Sequence, residues 1–485
     1  MSDFGIVSFG AYVPRYRLDR QAIAAAHKWM APSLRGLAKG ARAFCAWDED
    51  SVTMAVEAAR DALGGRGAAG LKVIGMATTR PVYADLPATA LVAGALDLPR
   101  GLRSVDSGYS QRAGMSGLLA MLKGGEAGLF VASDAPLGKP ASTQEMTFGA
   151  GAAAFVLGSE NVAARLIGAG SVIDNFVDHY RQEGAAYDYH WEERWVRDEG
   201  YGKLVPEAAR AALAEAGLAI GDIQHLVMPA MLRVAAGDVV RKLGFAGNVV
   251  DDLQADCGYA GAAAAPLMLA RALESAGPGD RILVLSFGQG ADALVLEVTD
   301  AIVKARPARG VSGSLAQALM TDSYLRYLSF TDQVELEWGM RSEKSAKTAM
   351  SEVWRSGGQI EPFHAGQCGT CGTIQFPQLQ YCVNCHAPGS GFAPVSLRDA
   401  PAKVMTQTAD SLSYHPSPPL YVGFVQFANG ARVQMEMVDI GPDGIEPGTE
   451  LEMVFRVKEK DRQRGYSRYF WKAAPTVSGN ANKKA

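Results

Sequence analysis

The chain has 485 residues, too many for one ordinary hydrophobic core, so two or three domains are expected. It is 48% hydrophobic and 20% charged with 54 glycines, which excludes a disordered or fibrous protein and fits a glycine-turned α/β one. A formal charge of −4 offers no bulk attraction to phosphate backbones or anionic lipid, so neither nucleic acid nor membrane is an expected partner.

At the N-terminus, Ile6, Val7, Phe9, Ala11 and Val13 read as a strand rather than as the basic and apolar parts of a signal peptide. The longest apolar stretches, such as 260–269, are alanine-rich, are broken by Gly261 and Pro266, and fall short of a bilayer span. A cytoplasmic location follows as the expectation. Four of the six cysteines form two CxxC pairs, which in a reducing compartment points to metal rather than disulfides.

The stretch 101–158 reads as strand, tight turn, small-residue helix (113–122), strand (129–132), glycine loop Thr147-Phe-Gly-Ala-Gly-Ala and strand (153–157). The stretch 248–298 repeats that order, with turn Cys257-Gly-Tyr-Ala-Gly, helix 262–275, strand 281–285, loop Ser286-Phe-Gly-Gln-Gly-Ala and strand 294–298. A helix, a glycine-led turn and a short apolar strand precede each copy, at 71–76 and 225–228. Two βαβαβ halves packed back to back are expected. Right-handed parallel crossovers then cover both sheet faces with helices, and the cleft lies where the two turns meet at strand ends.

The segments GIVSFGAYVPRYRL, DEDSVTMAVEAARDAL, DRILVLSFGQGADALVLEVTD and Lys242 to Phe245 resemble 3-hydroxy-3-methylglutaryl-CoA synthase, particularly its archaeal form, in order and spacing over residues 1–305. The resemblance implies a duplicated thiolase-like α/β/α layered fold and a homodimer or larger assembly. It also implies an acyl-CoA substrate whose coenzyme A lies in a tunnel ending at the two turns.

The same resemblance implies where the catalytic residues stand, and the chain departs from the family at each place. The nucleophilic cysteine belongs at the helix start after the first turn, where amide donors favour a thiolate, and Gln111 stands there. The acid/base glutamate falls on Thr79, the histidine on Pro229, and the asparagine of the second turn on Tyr259. Glutamine forms no thioester, and threonine exchanges no proton near neutral pH. Ser110, beside Gln111, is a displaced-nucleophile candidate without a base in its motif. Cys257 and Cys45 are lone thiols whose plain alternative is inert core.

A kept scaffold without its nucleophile fits retro-aldol cleavage of a 3-hydroxyacyl-CoA, in which a base takes the 3-hydroxyl proton and amide donors hold the enolate oxygen. Thiolase-like aldolases of steroid side-chain breakdown are similar in this logic. Within the resemblance, Tyr259 and Tyr109 flank the cleft as base or proton donor, with half-buried structural phenols as the alternative. Backbone amides at Gly288, Gly290 and Ala291 are the expected oxyanion donors or a simple turn. The aromatic insertion 178–195 shapes the acyl pocket in the resembling family. Its His190 is the candidate catalytic histidine, against a solvated connector.

Residues 306–354 read as a linker with helices. From 355 to 395, Cys368-Gly-Thr-Cys371 and Cys382-Val-Asn-Cys385 form two knuckles that close one tetrahedral structural Zn²⁺, with His364 and His386 as spectators; a redox dithiol pair is the alternative. From 396 to 477, strand-like runs at 402–406, 421–427, 431–437, 450–457 and 466–471, two of them joined by Asn429-Gly430, suggest an all-β OB-fold barrel. Zinc ribbon plus OB-fold resembles the proteins that accompany thiolases, hold coenzyme A and bridge to another acyl-CoA enzyme. Lys458, Lys460, Arg462, Arg464 and Arg468 offer charge for a coenzyme A phosphate or a single strand of nucleic acid. The tail 478–485 reads as disordered.

Three functions remain open on sequence: a thiolase-like lyase acting on a 3-hydroxyacyl-CoA without a cysteine nucleophile, a 3-hydroxy-3-methylglutaryl-CoA synthase-like acyltransferase, and a non-catalytic acyl-CoA-binding scaffold subunit.

Overall fold

The structure, a computed structural model, describes residues 4–232, 234–343 and 346–476; the tail expected at 478–485 lies outside them. The chain forms two compact units. The first comprises residues up to Ala46, Asp50–Leu91 and Pro99–Thr331, and the second comprises Trp47–Glu49, Val92–Leu98 and the residues from Asp332 onward.

The strands of the first unit's large sheet are β1 (Gly5–Tyr12), β2 (Val73–Ala77), β3 (Arg103–Ser107), β4 (Gly128–Asp134), β5 (Gly151–Gly158), β6 (Ala164–Ile173), β7 (His225–Val227), β8 (Asn248–Val249), β9 (Arg281–Phe287) and β10 (Gly290–Val298). They run β8-β7-β9-β10-β6-β1-β5-β4-β2-β3. Read outward from the centre, β1-β5-β4-β2-β3 and β6-β10-β9-β7-β8 have the same order, so the duplication is real. β2, β3 and β4 are mutually parallel, as are β7, β8 and β9, which is why their carboxyl ends gather at one edge of each half.

The halves are not simply back to back. They join edge to edge, where β1 pairs antiparallel with β6 through Gly5↔Arg165 and Ile6↔Ala164. Strand β6 drew no expectation from the sequence. Helices α1 (Ser51–Leu63), α2 (Ala113–Gly124), α3 (Val205–Ala216) and α4 (Ala264–Ser275) make the layers. α1 covers β1, β4 and β5, and α3 covers β6, β9 and β10. α2 and α4 touch each other and reach strands of both halves, forming the middle layer of the thiolase-like fold. The main core, with Phe130, Phe155, Leu118, Leu269 and Leu294, surrounds this middle layer. A second core under α3 holds Val205, Leu226, Leu285 and Phe287.

Local chemistry explains the helix ends. Asp50 accepts from the Val52 and Thr53 amides at 2.9 Å while Thr53 Oγ1 accepts from the Asp50 amide at 2.8 Å, and left-handed Gly64 ends α1. In α2, Gly114 lets the middle helices meet, since a Cβ there would stand 2.0 Å from the Ala262 carbonyl oxygen.

The expected linker at 306–354 divides. Up to Thr331 it belongs to the first unit, with helices Gly310–Ala316 and Tyr324–Phe330 and a strand, Leu319–Thr321, pairing in parallel with Tyr16–Asp19. Buried Val311, Tyr327 and Phe330 are what anchor a segment whose glycine and arginine content reads as connector.

In the second unit, β11 (Ala402–Val404), β12 (Thr408–Asp410), β13 (Leu420–Phe427), β14 (Arg432–Met437), β15 (Glu450–Asp461) and β16 (Tyr466–Pro475) make a sheet ordered β11-β15-β16-β14-β13-β12. Pairing of β11 with β13 closes five of them into a barrel. Ahead of it, His364–Cys368 pairs with Ile374–Gln375 and Phe392–Ser396. No helix among the described residues is long and apolar enough to cross a membrane.

Candidate functional site

The carboxyl ends of β2, β4 and β9 and the starts of α2 and α4 converge in the first unit. Gln111 is buried one residue before the α2 N-cap, and its side-chain oxygen accepts a 3.0 Å hydrogen bond from the Tyr259 hydroxyl. Tyr259 is held on both sides: its amide donates to the Thr147 carbonyl at 2.8 Å and its carbonyl accepts from Gly149 at 2.9 Å. Burial first, and nearby Tyr201 and carboxylates second, push its phenol well above the ordinary value. Near neutral pH Tyr259 is therefore a neutral phenol, suited to donate a hydrogen bond rather than to take a proton.

Tyr109 does not flank this pair. It sits at φ 68° in the turn before Gln111 with its side chain fully exposed, which corrects the expectation of two opposed tyrosines. A bulky residue in the left-handed region is costly and marks this turn as tightly determined.

Of the expected oxyanion amides, that of Gly288 is engaged. The Gly288 N–H donates to the Gly290 carbonyl at 3.0 Å, and Gly290 and Ala291 lie in the β10 ladder opposite Ile173 and Val172. Gly288 serves close packing instead, because a Cβ would lie 2.9 Å from Ser110 Oγ. Ser110 Oγ donates to the Gly288 carbonyl at 2.8 Å, and Arg112 Nε donates to it at 3.1 Å. The Ser110 hydroxyl thus has a structural partner, and no base bonds it among the described residues.

Thr79 Oγ1 donates at 2.7 Å to Asp134, a wholly buried carboxylate at the end of β4 that also accepts from the Thr79 amide at 3.2 Å and the Ala262 amide at 2.9 Å. Burial raises the Asp134 pKa although these hydrogen bonds oppose the shift. Asp134 joins the β2 loop to the entry of α4 and escaped the sequence reading. The available signal was a carboxylate closing the apolar strand GLFVASD.

His190 does reach the site's neighbourhood, by stacking. Phe148 lies 6.4 Å from Tyr259 and 6.2 Å from His190, and His190 stacks on His179 at 5.6 Å and 19°. Cross-strand pairing of His179–Tyr180 with Tyr189–His190 makes that stack. Burial first and the His179 charge second lower His190 to about 4, so it is a neutral imidazole, with a buried Nδ1 that has no hydrogen-bond partner among the described residues. His179 moves the other way: burial lowers it, but the Asp178 carboxylate, 3.0 Å from Nδ1, raises it by more. Gln289, at φ 48°, donates to both Asp178 and the His179 carbonyl at 2.9 Å, linking the β9–β10 turn to the insertion. Pro229 is buried after β7, and the nearby Met231 amide donates to Tyr201 Oη at 3.3 Å. Cys257 is a buried thiol raised by desolvation, and Cys45 is buried 3.9 Å from the Met54 sulfur, so both are core.

In the second unit the sulfurs of Cys368, Cys371, Cys382 and Cys385 all lie within 4.8 Å of one another, a possible metal site. Cys368 pairs with Cys385 and Cys371 with Cys382 at 3.6 Å. His364 lies 3.3 Å from Asp97 instead. The basic residues singled out on β15, β16 and the turn between them are ion-paired: Lys458 with Glu436, Lys460 and Arg462 with Asp332, Arg464 with Asp461, and Arg468 with Glu459. That self-pairing weakens them as a phosphate or nucleic-acid surface.

A hydroxymethylglutaryl-CoA synthase from Caldivirga maquilingensis is 33% identical over 352 residues, covering 69% of this chain and 99% of the relative. The chain belongs to the hydroxymethylglutaryl-CoA synthase family. Within this synthase-family chain, residues 213–298 match the profile of the 3-oxoacyl-[acyl-carrier-protein (ACP)] synthase III C terminal domain. A solved structure of MvaS in complex with 3-hydroxy-3-methylglutaryl coenzyme A has the same fold at TM-score 0.58 and 19% identity, covering 67% of this chain and 91% of that one. The curacin-pathway HMG synthase in complex with acetyl donor-ACP does so at TM-score 0.59 and 17% identity, covering 73% and 94%. The relatives' names fit the synthase-like alternative better than retro-aldol cleavage.

Proposed function

We propose that this chain acts on acyl-CoA thioesters as a hydroxymethylglutaryl-CoA synthase-like enzyme, joining the α-carbon of a thioester to a carbonyl carbon. The 33% identity to a synthase along 99% of that relative's length carries the reading. The coenzyme A thioester bound in one relative and the acetyl donor-ACP of another support thioester donors of either kind.

Because residue 111 is an amide, the acyl group stays on its own thiol. The α-carbon gives up a proton, the carbanion spreads onto the thioester oxygen, and the enolate carbon attacks the partner carbonyl, whose oxygen takes a proton. The Gln111 side-chain NH2 offers hydrogen-bond donors to one oxygen, and the neutral Tyr259 phenol serves the other by exchanging its bond to the Gln111 oxygen. His190, neutral and with an unpartnered Nδ1, is the candidate proton acceptor. The same residues run the reverse reaction, so Gln111 in place of a thiol favours a second reading, retro-aldol cleavage of a 3-hydroxyacyl-CoA.

The four sulfurs suit one tetrahedral, substrate-closed Zn²⁺, since Zn–S bonds of about 2.3 Å separate sulfurs by roughly 3.8 Å. The barrel order, with β14 and β16 parallel, supports the OB-fold reading of the second unit and an accessory role there.

The test is product analysis with intact-protein mass measurement. Acetyl-CoA plus acetoacetyl-CoA should yield a condensation product, and no acyl adduct should form on the protein. Cleavage of a 3-hydroxyacyl-CoA panel with no condensation would select the second reading. Tight coenzyme A binding with neither reaction would replace both with the scaffold.

A further inference from the structure

Arg80 directly follows Thr79 at the end of β2. Its Nη2 donates to the Ala186 carbonyl at 2.6 Å, its Nε is buried without a partner, and among the described residues no carboxylate pairs with it. Arg181 stands beside it, paired with Asp188 at 3.0 Å and donating to the Thr79 carbonyl. The acidic groups that face Arg80 are Asp188 and Asp134. Asp188 already serves Arg181, and Asp134 serves Thr79 and Ala262. Burial first, and the Arg181 charge second, pull Arg80 below its ordinary value.

A half-buried guanidinium with one backbone partner and a like charge for a neighbour is an unfavourable arrangement by itself, and a carboxylate bound through its fork relieves it. Among the described residues the Ala186 carbonyl is this cation's one fold contact, while Arg80's main chain holds the loop, its amide donating to Thr78 Oγ1 at 3.1 Å and its carbonyl accepting from Ser51 Oγ at 3.2 Å. The side chain is therefore available for a ligand, next to the Thr79–Asp134 contact that joins the β2 loop to the α4 entry.

We propose that Arg80 is the carboxylate-binding group of the substrate site, so that one of the two reacting molecules carries a free carboxylate. This rests on the acyl-CoA reading above and adds the substrate class to it. The carboxylate belongs either to the acyl chain of the thioester or to the carbonyl partner, an oxo acid. In both cases it docks beside Thr79, with Arg181 adding charge at longer range.

Binding by the full chain separates these sources. Glutaryl-CoA and pentanoyl-CoA differ only in the terminal group, and free coenzyme A reports the rest of the tunnel. If the acyl chain carries the carboxylate, glutaryl-CoA binds at least tenfold more tightly than pentanoyl-CoA, Arg80→Gln removes the difference, and Arg80→Lys retains part of it. If the carbonyl partner carries it, the two thioesters bind alike, and pyruvate binds in the presence of acetyl-CoA in an Arg80-dependent way while acetone does not. Unchanged coenzyme A affinity in both variants shows that they fold. Binding of coenzyme A with no carboxylate preference in either arm, or a preference that survives Arg80→Gln, overturns the inference and leaves the acyl-CoA reading standing. Loss of coenzyme A affinity along with the preference also overturns it, since Arg80 would then serve the coenzyme phosphates or the fold. Failure of wild-type protein to bind any thioester overturns both.

Discussion

The Tyr259 hydroxyl and the Gln111 side-chain oxygen, one from each copy of the duplication, meet across 3.0 Å at the point where a family nucleophile is expected. Both groups are buried, and the bond satisfies an acceptor that water does not reach.

Tyr259→Phe should therefore cost about 1–3 kcal/mol, because it strands a buried amide oxygen. Tyr259→Phe combined with Gln111→Leu should recover most of that loss, since no polar group is left unpaired. Thermal unfolding of the single and double variants checks the non-additivity. Equal or additive losses would mean that the contact contributes little.

His190 should stay neutral through the working range. Its folded pKa of about 4 lies below the usual 6.5, so between those values the unfolded chain takes up a proton that the folded chain refuses. Stability contributed by this group is present above pH 6.5 and declines as pH falls towards 4. Chemical shifts of the ring on titration should show no protonation between pH 8 and 5.5, and His179→Gln should shift the His190 titration upward by removing a neighbouring charge.

The second unit should be acid-sensitive at Glu436. Burial alone would raise its pKa, but the Lys472 ammonium at 2.8 Å and the His415 hydrogen bond at 3.1 Å outweigh it and hold the group at about 2, against a usual 4.5. A depressed carboxylate stabilises above its unfolded pKa, and that stabilisation is lost as pH falls from about 4.5 to 2. The shift corresponds to about 3 kcal/mol. Lys472 also bonds Asp48 at 2.9 Å and lies over the Trp47 ring at 4.2 Å, so Glu436→Gln leaves that cation with Asp48 alone. The melting temperature of wild type should fall more steeply than that of Glu436→Gln between pH 5 and 3.

Elemental analysis should find close to one zinc per chain, falling to near zero in Cys371→Ser. Chelation should expose four thiols to titration and open the 364–396 segment to protease, because a metal held by the four sulfurs would close the two knuckles. Stable thiols and unchanged proteolysis after chelation would favour the redox alternative.

Repeated glycine loops, alternating strands and paired cysteines made the two halves, the cysteine cluster and the barrel legible in the sequence, because each rests on short-range periodicity or spacing. Gln111, Thr79 and Tyr259 were singled out through the family resemblance; in the structure Tyr259 bonds Gln111, and Thr79 bonds Asp134. Which of them touch was not legible. Tyr109 and Tyr259 sit in equivalent-looking turns, yet one faces outward and the other is buried against Gln111, a difference that depends on the backbone hand at Tyr109 and on Phe148 and Thr147 packing around Tyr259.

By itself, then, the sequence determined the duplicated architecture, the absence of an acyl-accepting thiol at residue 111 and the four-thiol cluster. Only tertiary structure decided that Asp134 joins the two loops, that Gly288 spends its amide on the fold, and that no carboxylate among the described residues pairs with Arg80. Burial, charge neighbours and hydrogen-bond completion arise between residues distant in the chain, and local patterns carry no record of them.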